Sequence, residues 1–204
     1  GQYIDVALLD TQLAALVNVA SNVLVGDTDA PRWGNQHPNI VPYQTFQASD
    51  GEFVLAVGND GQFRTLCRLL GRDDLAEDTR FATNPQRVAH RGTLVDLLQA
   101  EFYKRRTSEW VQMLLDAGIP AGPIHSVQEA LHDPQVLARG LVQQVLLANG
   151  ERVPLVASPL KLSEGQPEIR HAPPLLGQDT DDVLRQLVGL DAATLDQYRR
   201  DGII

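Results

Sequence analysis

The spacing of apolar residues along the chain predicts helices and strands in alternation. Tyr3, Ile4 and Val6 have the spacing and the residue types of a short buried strand. From residue 7 to residue 25 the spacing becomes that of a helix with apolar residues on nearly every side. Such a helix has to be covered on several sides, so we expect it to be buried against a larger body than the segments that follow it.

The middle of the chain carries start and stop signals for one strand and several helices. Residues 51–59, "GEFVLAVGN", have the β-branched and aromatic content of a strand entered through an Asp-Gly turn. Helix N-caps are expected at Asn59 or Asp60, at Asn84 before Pro85, and at Ser126, which forms a capping box with Glu129. Further helices are expected to start at Thr107 or Ser108 and at Asp133-Pro134. Glycines at positions 71, 118 and 140 follow the apolar stretches and are expected to end three of these helices.

In the last third of the chain the spacing of apolar residues changes again. Two alternating stretches flank Asn149-Gly150, which is a strong short-range signal for a β-hairpin. Further helices are expected to begin at Asp179 or Thr180 and at Asp191. The whole pattern predicts an α+β fold with a buried first helix, a unit of one strand and several helices at about 51–125, a hairpin and a helical tail.

Composition narrows the class of protein. The 204 residues are 43% hydrophobic and carry a formal net charge of −9. A net negative surface repels phosphate backbones, so no nucleic-acid partner is expected. The longest apolar run, residues 13–25, is interrupted by polar residues and is too short for a bilayer, so no membrane partner is expected. A single cysteine, Cys67, and the lack of a signal peptide favour a cytoplasmic location.

No self-contained active site is visible in the sequence. The histidines are scattered and form none of the usual metal-binding pairs, so no metal is expected; they are His37, His90, His125, His132 and His171. Adjacent carboxylates at 73–74 and 181–182 point apart on a helix or turn and are expected to be solvated. Cys67 falls on the apolar side of a helical pattern, which favours a small buried side chain over a nucleophile.

Four blocks of the sequence nevertheless resemble one known family in order along the chain. They are "GQYIDVALLDTQLA", "GNQHPNIVPYQTFQASDGEFVLAVGNDGQF", "AGIPAGPIHSVQEALHDPQV" and "PPLLGQDTDDVL". Together they resemble the family III CoA-transferases, the CaiB/BaiF family, over essentially the whole chain. Within the family, "IVPYQ", "GNDGQF" and "PPLLGQ" are most similar to the branch that contains succinate–hydroxymethylglutarate CoA-transferase.

The resemblance implies a mechanism and a partner. Members of the family move CoA between carboxylic acids, here a dicarboxylate such as succinate, through an aspartate nucleophile that forms a mixed anhydride and then an aspartyl-CoA thioester. No cofactor is implied, because coenzyme A enters as the thioester substrate, and the expected partner is a second chain in an interlocked homodimer. The aspartate and most of the nucleotide pocket belong to blocks upstream of "GQYIDV". We therefore expect no catalytic residue in this chain and no activity from it alone.

The resemblance also implies a division of the chain. Residues 1–25 correspond to the end of a large α/β domain, with a strand and a buried helix. Residues 26–50 correspond to a linker and an active-site loop, 51–140 to the small domain, and 141–204 to the hairpin and the C-terminal helices.

The substrate-binding residues that the resemblance implies are Gly34, Asn35, Gln36 and His37. In the family, the matching segment lies over the active site and can shield acyl intermediates from water. Gly34 permits a close backbone approach. The prolines at positions 38 and 42 restrict the segment, and the aromatic residues at 43 and 46 are expected to hold its far end in a core.

Three alternatives stay open. Residues 34–37 could form a plain domain linker stiffened by prolines. The same family includes α-methylacyl-CoA racemases, which move a proton at the α-carbon with residues that also lie upstream of this chain. A member of a different class, a non-catalytic module for dimerisation or interaction, would keep the fold without the reaction.

Overall fold

A computed structural model describes residues 2–27, 29–147, 149–165 and 167–204. The chain divides into two compact units, residues 1–124 and residues 125–204. Both helices and short antiparallel sheets are present, so the α+β fold class is confirmed. The finer division into a large-domain end, a linker and a small domain stays a prediction.

The first unit is built on a three-stranded antiparallel sheet. Its strands are β1 (Tyr43–Gln47), β2 (Glu52–Ala56) and β3 (Ala121–Pro123), and β2 lies between the other two. Only β2 was expected, and β1 falls in the stretch assigned to the linker. One of the two buried residues of β1 is the polar Gln44, and β3 has only three residues, so neither segment shows the apolar alternation of a strand in the sequence alone.

Five described helices of the first unit contribute buried residues to its core. They are α3 (Asp60–Leu70), α4 (Asp73–Glu77), α5 (Asn84–Ala89), α6 (Arg91–Phe102) and α7 (Thr107–Asp116). Phe102 is at the centre of an aromatic cluster, with ring centroids 4.9 Å from Phe46, 5.1 Å from Phe53 and 5.3 Å from Trp110. The indole nitrogen of Trp110 donates to the carbonyl oxygen of Phe102 at 2.8 Å, so the buried ring also satisfies its polar atom.

The predicted ends of the helices in this unit are largely confirmed. The Asn59 side chain accepts a hydrogen bond from Gln62 N at 2.9 Å, and Gly71 ends α3 with φ of 67°. One expectation was wrong. The single helix expected from Asn84 is two helices, α5 and α6, because His90 leaves the helical region with φ −113° and ψ 26°.

The N-terminal segment differs from the expectation. Residues 3–6 form no strand, because no described residue pairs with their backbone. The expected helix over 7–25 is two helices, α1 (Leu8–Ala15) and α2 (Asn18–Gly26), bent by 78°. The chain turns at Val17, whose φ is 44°, a conformation unfavourable for a β-branched residue.

The expected burial of this N-terminal segment against a larger body stays a prediction. Neither α1 nor α2 contains a buried residue, and Leu8 is 89% exposed. Val19 and Ala20 of α2 are half-buried, and the other apolar side chains of these two helices are exposed. Within the described residues, no single helix has the length and apolar content of a membrane span; α1 and α2 reach them only as a bent pair.

The second unit contains the predicted hairpin and short helices. α8 (Val127–Leu131) begins with the predicted capping box, in which Ser126 N donates to Glu129 Oε2 at 2.8 Å and Glu129 N donates to Ser126 Oγ at 3.2 Å. α9 (Pro134–Ala138) follows. The antiparallel strands β4 (Val142–Leu146) and β5 (Arg152–Val156) flank Asn149-Gly150 as expected.

The helical tail also follows the sequence pattern. α10 (Thr180–Val183) continues as a π-helical turn over Leu184–Val188. α11 (Ala192–Arg200) begins at the predicted cap, where the Asp191 side chain accepts from Thr194 N at 2.8 Å. The expected cap at Asp179 makes no side-chain hydrogen bond to the start of α10.

Candidate active-site loop

Residues 33–38 form one continuous loop ahead of β1. Gln36 N donates to the carbonyl oxygen of Trp33 at 3.1 Å, which closes a tight turn around Gly34 and Asn35. Gly34 has φ of +61°, and a Cβ atom at this position would meet no atom within 4 Å. The turn therefore selects glycine for its left-handed backbone rather than for lack of space.

One side of the loop is fixed to β1. The side chains of Asn35 and Thr45 are hydrogen-bonded, and Thr45 N also donates to Asn35 Oδ1 at 3.4 Å. Two residues on, His37 N donates to the carbonyl oxygen of Tyr43 at 2.9 Å, and the two rings stack with centroids 5.1 Å apart and planes 17° apart. Tyr43 is 37% exposed, so it holds the loop at the surface and not in the core as expected. Phe46 lies in the core as expected.

The other side of the loop is fixed by Arg91, the first residue of α6. Its Nη2 atom donates to two consecutive carbonyl oxygens, that of His37 at 2.9 Å and that of Pro38 at 2.8 Å. The guanidinium carbon lies 5.2 Å from the centroid of the Trp33 ring, within the range of a cation–π contact. Burial lowers the pKa of Arg91 from its usual value. Arg91 was not singled out from the sequence, because its contacts are more than fifty positions away.

A third set of contacts fixes the segment between the loop and β1. Asn84 Nδ2 donates to the carbonyl oxygen of Asn39 at 2.8 Å, and Asn84 Oδ1 accepts from Val41 N at 3.1 Å. Arg87 Nε donates to the carbonyl oxygen of Val41 at 2.7 Å. The Asn84 side chain was expected to cap a helix and instead binds this segment, so the Asn-Pro signal located the helix start correctly but not the role of its side chain.

The surroundings of His37 favour its neutral form. Its Nδ1 atom accepts a hydrogen bond from Asn39 N at 3.1 Å. Burial, and then the positive charge of Arg91, lower the pKa of His37 below its usual value of 6.5. The four residues expected to bind substrate thus lie together in one loop: Gly34 and Asn35 are exposed, and Gln36 and His37 are half-buried.

A cleft of about 610 Å³ opens beside this loop. It is lined by Ser21, Asn22, Val25, Gly26, Trp33 and Asn39. Asn22 and Asn39 bridge it with two amide hydrogen bonds of 2.9 and 3.0 Å, which join α2 to the loop. Because the two amides bond each other, they hold α2 beside this stretch of the chain.

The buried surroundings of Cys67 suppress the reactivity of its thiol. Cys67 is fully buried, as predicted, and burial raises the pKa of its thiol to about 11. A thiol with that pKa is almost entirely protonated at neutral pH and is a poor nucleophile. Within the described residues, no group of three or more histidine, cysteine, aspartate or glutamate side chains is arranged to hold a metal ion.

The chain matches the family model of CoA-transferase family III over residues 1–180. It therefore belongs to that family. A CaiB/BaiF family protein from Brucella suis has a similar structure, with a TM-score of 0.73 and 40% identity over 92% of this chain and 48% of that protein.

Two curated relatives have related activities in their names. A succinyl-CoA:glutarate CoA-transferase from Mus musculus is 37% identical over all of this chain and 47% of the mouse protein. A succinate–glutarate CoA-transferase from Agrobacterium fabrum is 41% identical over 92% of this chain and 47% of that protein. The chain thus spans about half the length of the curated relatives that it matches.

Proposed function

We propose that this chain is the C-terminal part of a CoA-transferase that moves CoA between dicarboxylic acids, with succinate as one of them. The observation that carries the proposal is the match, along nearly the whole chain, to transferases named for succinate and glutarate. Coenzyme A enters as part of the substrate. Because the chain spans about half of these relatives, the nucleophilic aspartate and most of the nucleotide pocket are assigned to a preceding segment.

In this proposal the reaction proceeds through that aspartate. Its carboxylate attacks the thioester carbonyl and releases CoA as a thiolate, which gives a mixed anhydride. The thiolate then attacks the aspartyl carbonyl and releases the first acid, leaving an aspartyl-CoA thioester. The acceptor carboxylate attacks this thioester and releases the CoA thiolate, which gives a second mixed anhydride. The thiolate then attacks the acceptor's carbonyl in that anhydride, which forms the new acyl-CoA and regenerates the aspartate carboxylate. Each of these intermediates hydrolyses if water reaches it.

Loop residues 34–37 are proposed to cover these intermediates. The contacts to Thr45, Tyr43 and Arg91 support this role, because they hold a partly exposed loop in one conformation. A plain linker does not require hydrogen bonds on both sides. A fixed cover also explains why the loop contains only one glycine.

The exposed apolar helices α1 and α2 are proposed to lie against the preceding segment and against a second chain of an interlocked homodimer. Their exposure in the chain as described supports a covering partner, because large exposed apolar patches mark interaction surfaces. A cytoplasmic location remains part of the proposal.

The test is an assay of the complete transferase with succinyl-CoA and a series of dicarboxylates, glutarate first. We expect a new acyl-CoA of the acceptor's mass and stoichiometric release of succinate. Absence of transfer to every dicarboxylate would overturn the proposal. Deuterium uptake from solvent at the α-carbon of a 2-methylacyl-CoA, without transfer, would identify the racemase instead.

A further inference from the structure

The hydrogen bond between Asn39 and His37 determines which ring nitrogen carries the proton. Asn39 N donates to His37 Nδ1 at 3.1 Å, so Nδ1 supplies a lone pair. A neutral imidazole has one N–H group and one acceptor nitrogen. The proton of His37 therefore lies on Nε2.

The ring that carries this N–H group is fixed in direction. Tyr43 stacks on one face, His37 N is bonded to Tyr43, and His37 O is bonded to Arg91. The charged or titratable groups that face the ring are Arg91 from α6 and the Tyr43 phenol from β1. Among the described residues, no group is bonded to His37 Nε2.

We propose that His37 donates its Nε2–H to a carboxylate oxygen of the acid substrate, with Arg91 as a positioning residue that holds the ring in place. This inference rests on the proposed function and adds the contact that recognises the acid. His37 is a hydrogen-bond donor here and not a general base, because one ring nitrogen is occupied by Asn39 and the other is already protonated. A hydrogen bond to a carboxylate is charge-assisted and stronger than a neutral one.

Arg91 acts through the backbone of the loop. One nitrogen atom of its guanidinium donates to the carbonyl oxygens of both His37 and Pro38, which fixes the relative orientation of two successive peptide groups. Lysine at this position would keep the charge but would lose the planar group that stacks on Trp33. Because Arg91 holds the backbone that positions His37 against Asn39, we predict that the tautomer of His37 depends on Arg91.

The first test is direct observation of the tautomer in the 204-residue chain by two-dimensional NMR of ¹⁵N-labelled imidazoles. We expect His37 to show an unprotonated Nδ1 and a protonated Nε2, and Arg91→Ala to produce a mixture of tautomers without loss of the folded spectrum. A protonated Nδ1 in the unchanged chain would overturn the inference. An unchanged tautomer in Arg91→Ala would overturn the role given to Arg91, and Arg91→Lys tests whether the charge alone is enough.

The second test compares His37→Gln with His37→Asn in the complete transferase. The glutamine amide reaches the position of Nε2, whereas the asparagine amide reaches only that of Nδ1. We expect kcat/KM for the acceptor acid to be about 10- to 100-fold lower in His37→Asn than in His37→Gln, the loss of one hydrogen bond to a charged group. His132→Asn, a change at an exposed histidine of the second unit, is the control for nonspecific effects.

The outcomes separate this inference from the proposed function. Equal kcat/KM values for the two His37 variants, in an enzyme that transfers CoA, would overturn the inference and leave the proposed function standing. An unchanged enzyme that transfers CoA to no dicarboxylate would overturn both the proposed function and the substrate contact. In that case the tautomer measurement still tests the Asn39–His37 geometry independently.

Discussion

Arg87 and Asp60 form an ion pair with one partner fully buried and the other at the surface. Arg87 Nη2 lies 2.8 Å from Asp60 Oδ1; the Arg87 side chain is 0% exposed and that of Asp60 is 41% exposed. The same guanidinium donates to the carbonyl oxygens of Val41 at 2.7 Å and of Phe81 at 3.0 Å. It also lies 4.4 Å from the centroid of the Phe63 ring. One buried cation thus joins α3 and α5 to the segment that leads from the loop into β1.

This arrangement predicts a large loss of stability for Arg87→Met. The substitution keeps much of the apolar volume but leaves two buried carbonyl oxygens and Asp60 without their donor. We expect the free energy of unfolding to fall by about 2–5 kcal/mol, measured by urea denaturation. Arg64→Met, at an exposed position on α3, is the matched control and should change it by less than about 0.5 kcal/mol. Equal effects of the two substitutions would refute the structural role of Arg87.

A second prediction concerns the turn at Gly34. Gly34→Val places a β-branched residue at φ of +61°, which costs about 1–3 kcal/mol of backbone strain, whereas Gly34→Asn fills the same space with a residue that tolerates this conformation. In the complete transferase we expect Gly34→Val to lower turnover and to raise the ratio of acyl-CoA hydrolysis to transfer. The affinity for the nucleotide should change little. Gly34→Asn should have the smaller effect on both.

The measurement is product analysis by mass spectrometry, which counts free acid and new acyl-CoA in the same reaction. If turnover and the hydrolysis-to-transfer ratio are the same in Gly34→Val as in the unchanged enzyme, residues 34–37 are a linker.

The third prediction is a pH dependence of stability caused by His37. Its pKa in the folded chain lies below the value of 6.5 expected when unfolded, first because of burial and then because of Arg91. Between those two pKa values the unfolded chain binds more protons than the folded chain, so stability rises with pH through this window and levels off above 6.5. His37→Gln removes this contribution and should flatten the slope.

The slope is measured by urea unfolding at steps between about pH 5 and pH 7.5, the range in which histidine titrates. His132→Gln is the control, since that ring lies exposed in the second unit. A slope that is as steep in His37→Gln as in the unchanged chain would mean that other groups produce it.

The fourth prediction concerns the chain by itself. We expect the isolated 204 residues to show no transfer from succinyl-CoA to glutarate, because the proposed nucleophile is assigned to a preceding segment. We also expect self-association through α1 and α2, because burial of each leucine- or valine-sized side chain contributes about 1.5–3 kcal/mol. Light scattering measures the association, and mass spectrometry shows whether a companion peptide copurifies.

The variants for this test exchange exposed leucines in two places. Leu8→Gln with Leu9→Gln on α1 should weaken association, whereas Leu176→Gln, at a still more exposed leucine in the second unit, should not. A monomer without a companion and with ordered α1 and α2 would show that these helices need no partner. Turnover by the isolated chain, free of contaminating enzyme, would refute the expected inactivity.

Local sequence signals were enough to locate the start or the end of several elements. The caps at Asn59, Ser126 and Asp191, the C-terminal glycine at Gly71 and the hairpin around Asn149-Gly150 are all present in the structure. Each depends on hydrogen bonds and backbone angles within about four positions. A short sequence window contains all the partners, so the pattern alone is enough. The four sequence blocks that occur in family order were likewise sufficient to identify the family.

The side chains that hold the loop could not be read from the sequence, because their partners are far away along the chain. Arg91 contacts carbonyls 53 and 54 positions away, and Asn84 bonds the backbone of residues 39 and 41 instead of a helix end. A polar side chain has many possible partners in sequence, and only packing of α5 and α6 beside the loop selects among them. The N-terminal segment is a similar case. Its apolar pattern indicates that α1 and α2 need covering, but what covers them depends on surfaces that residues 7–25 do not contain.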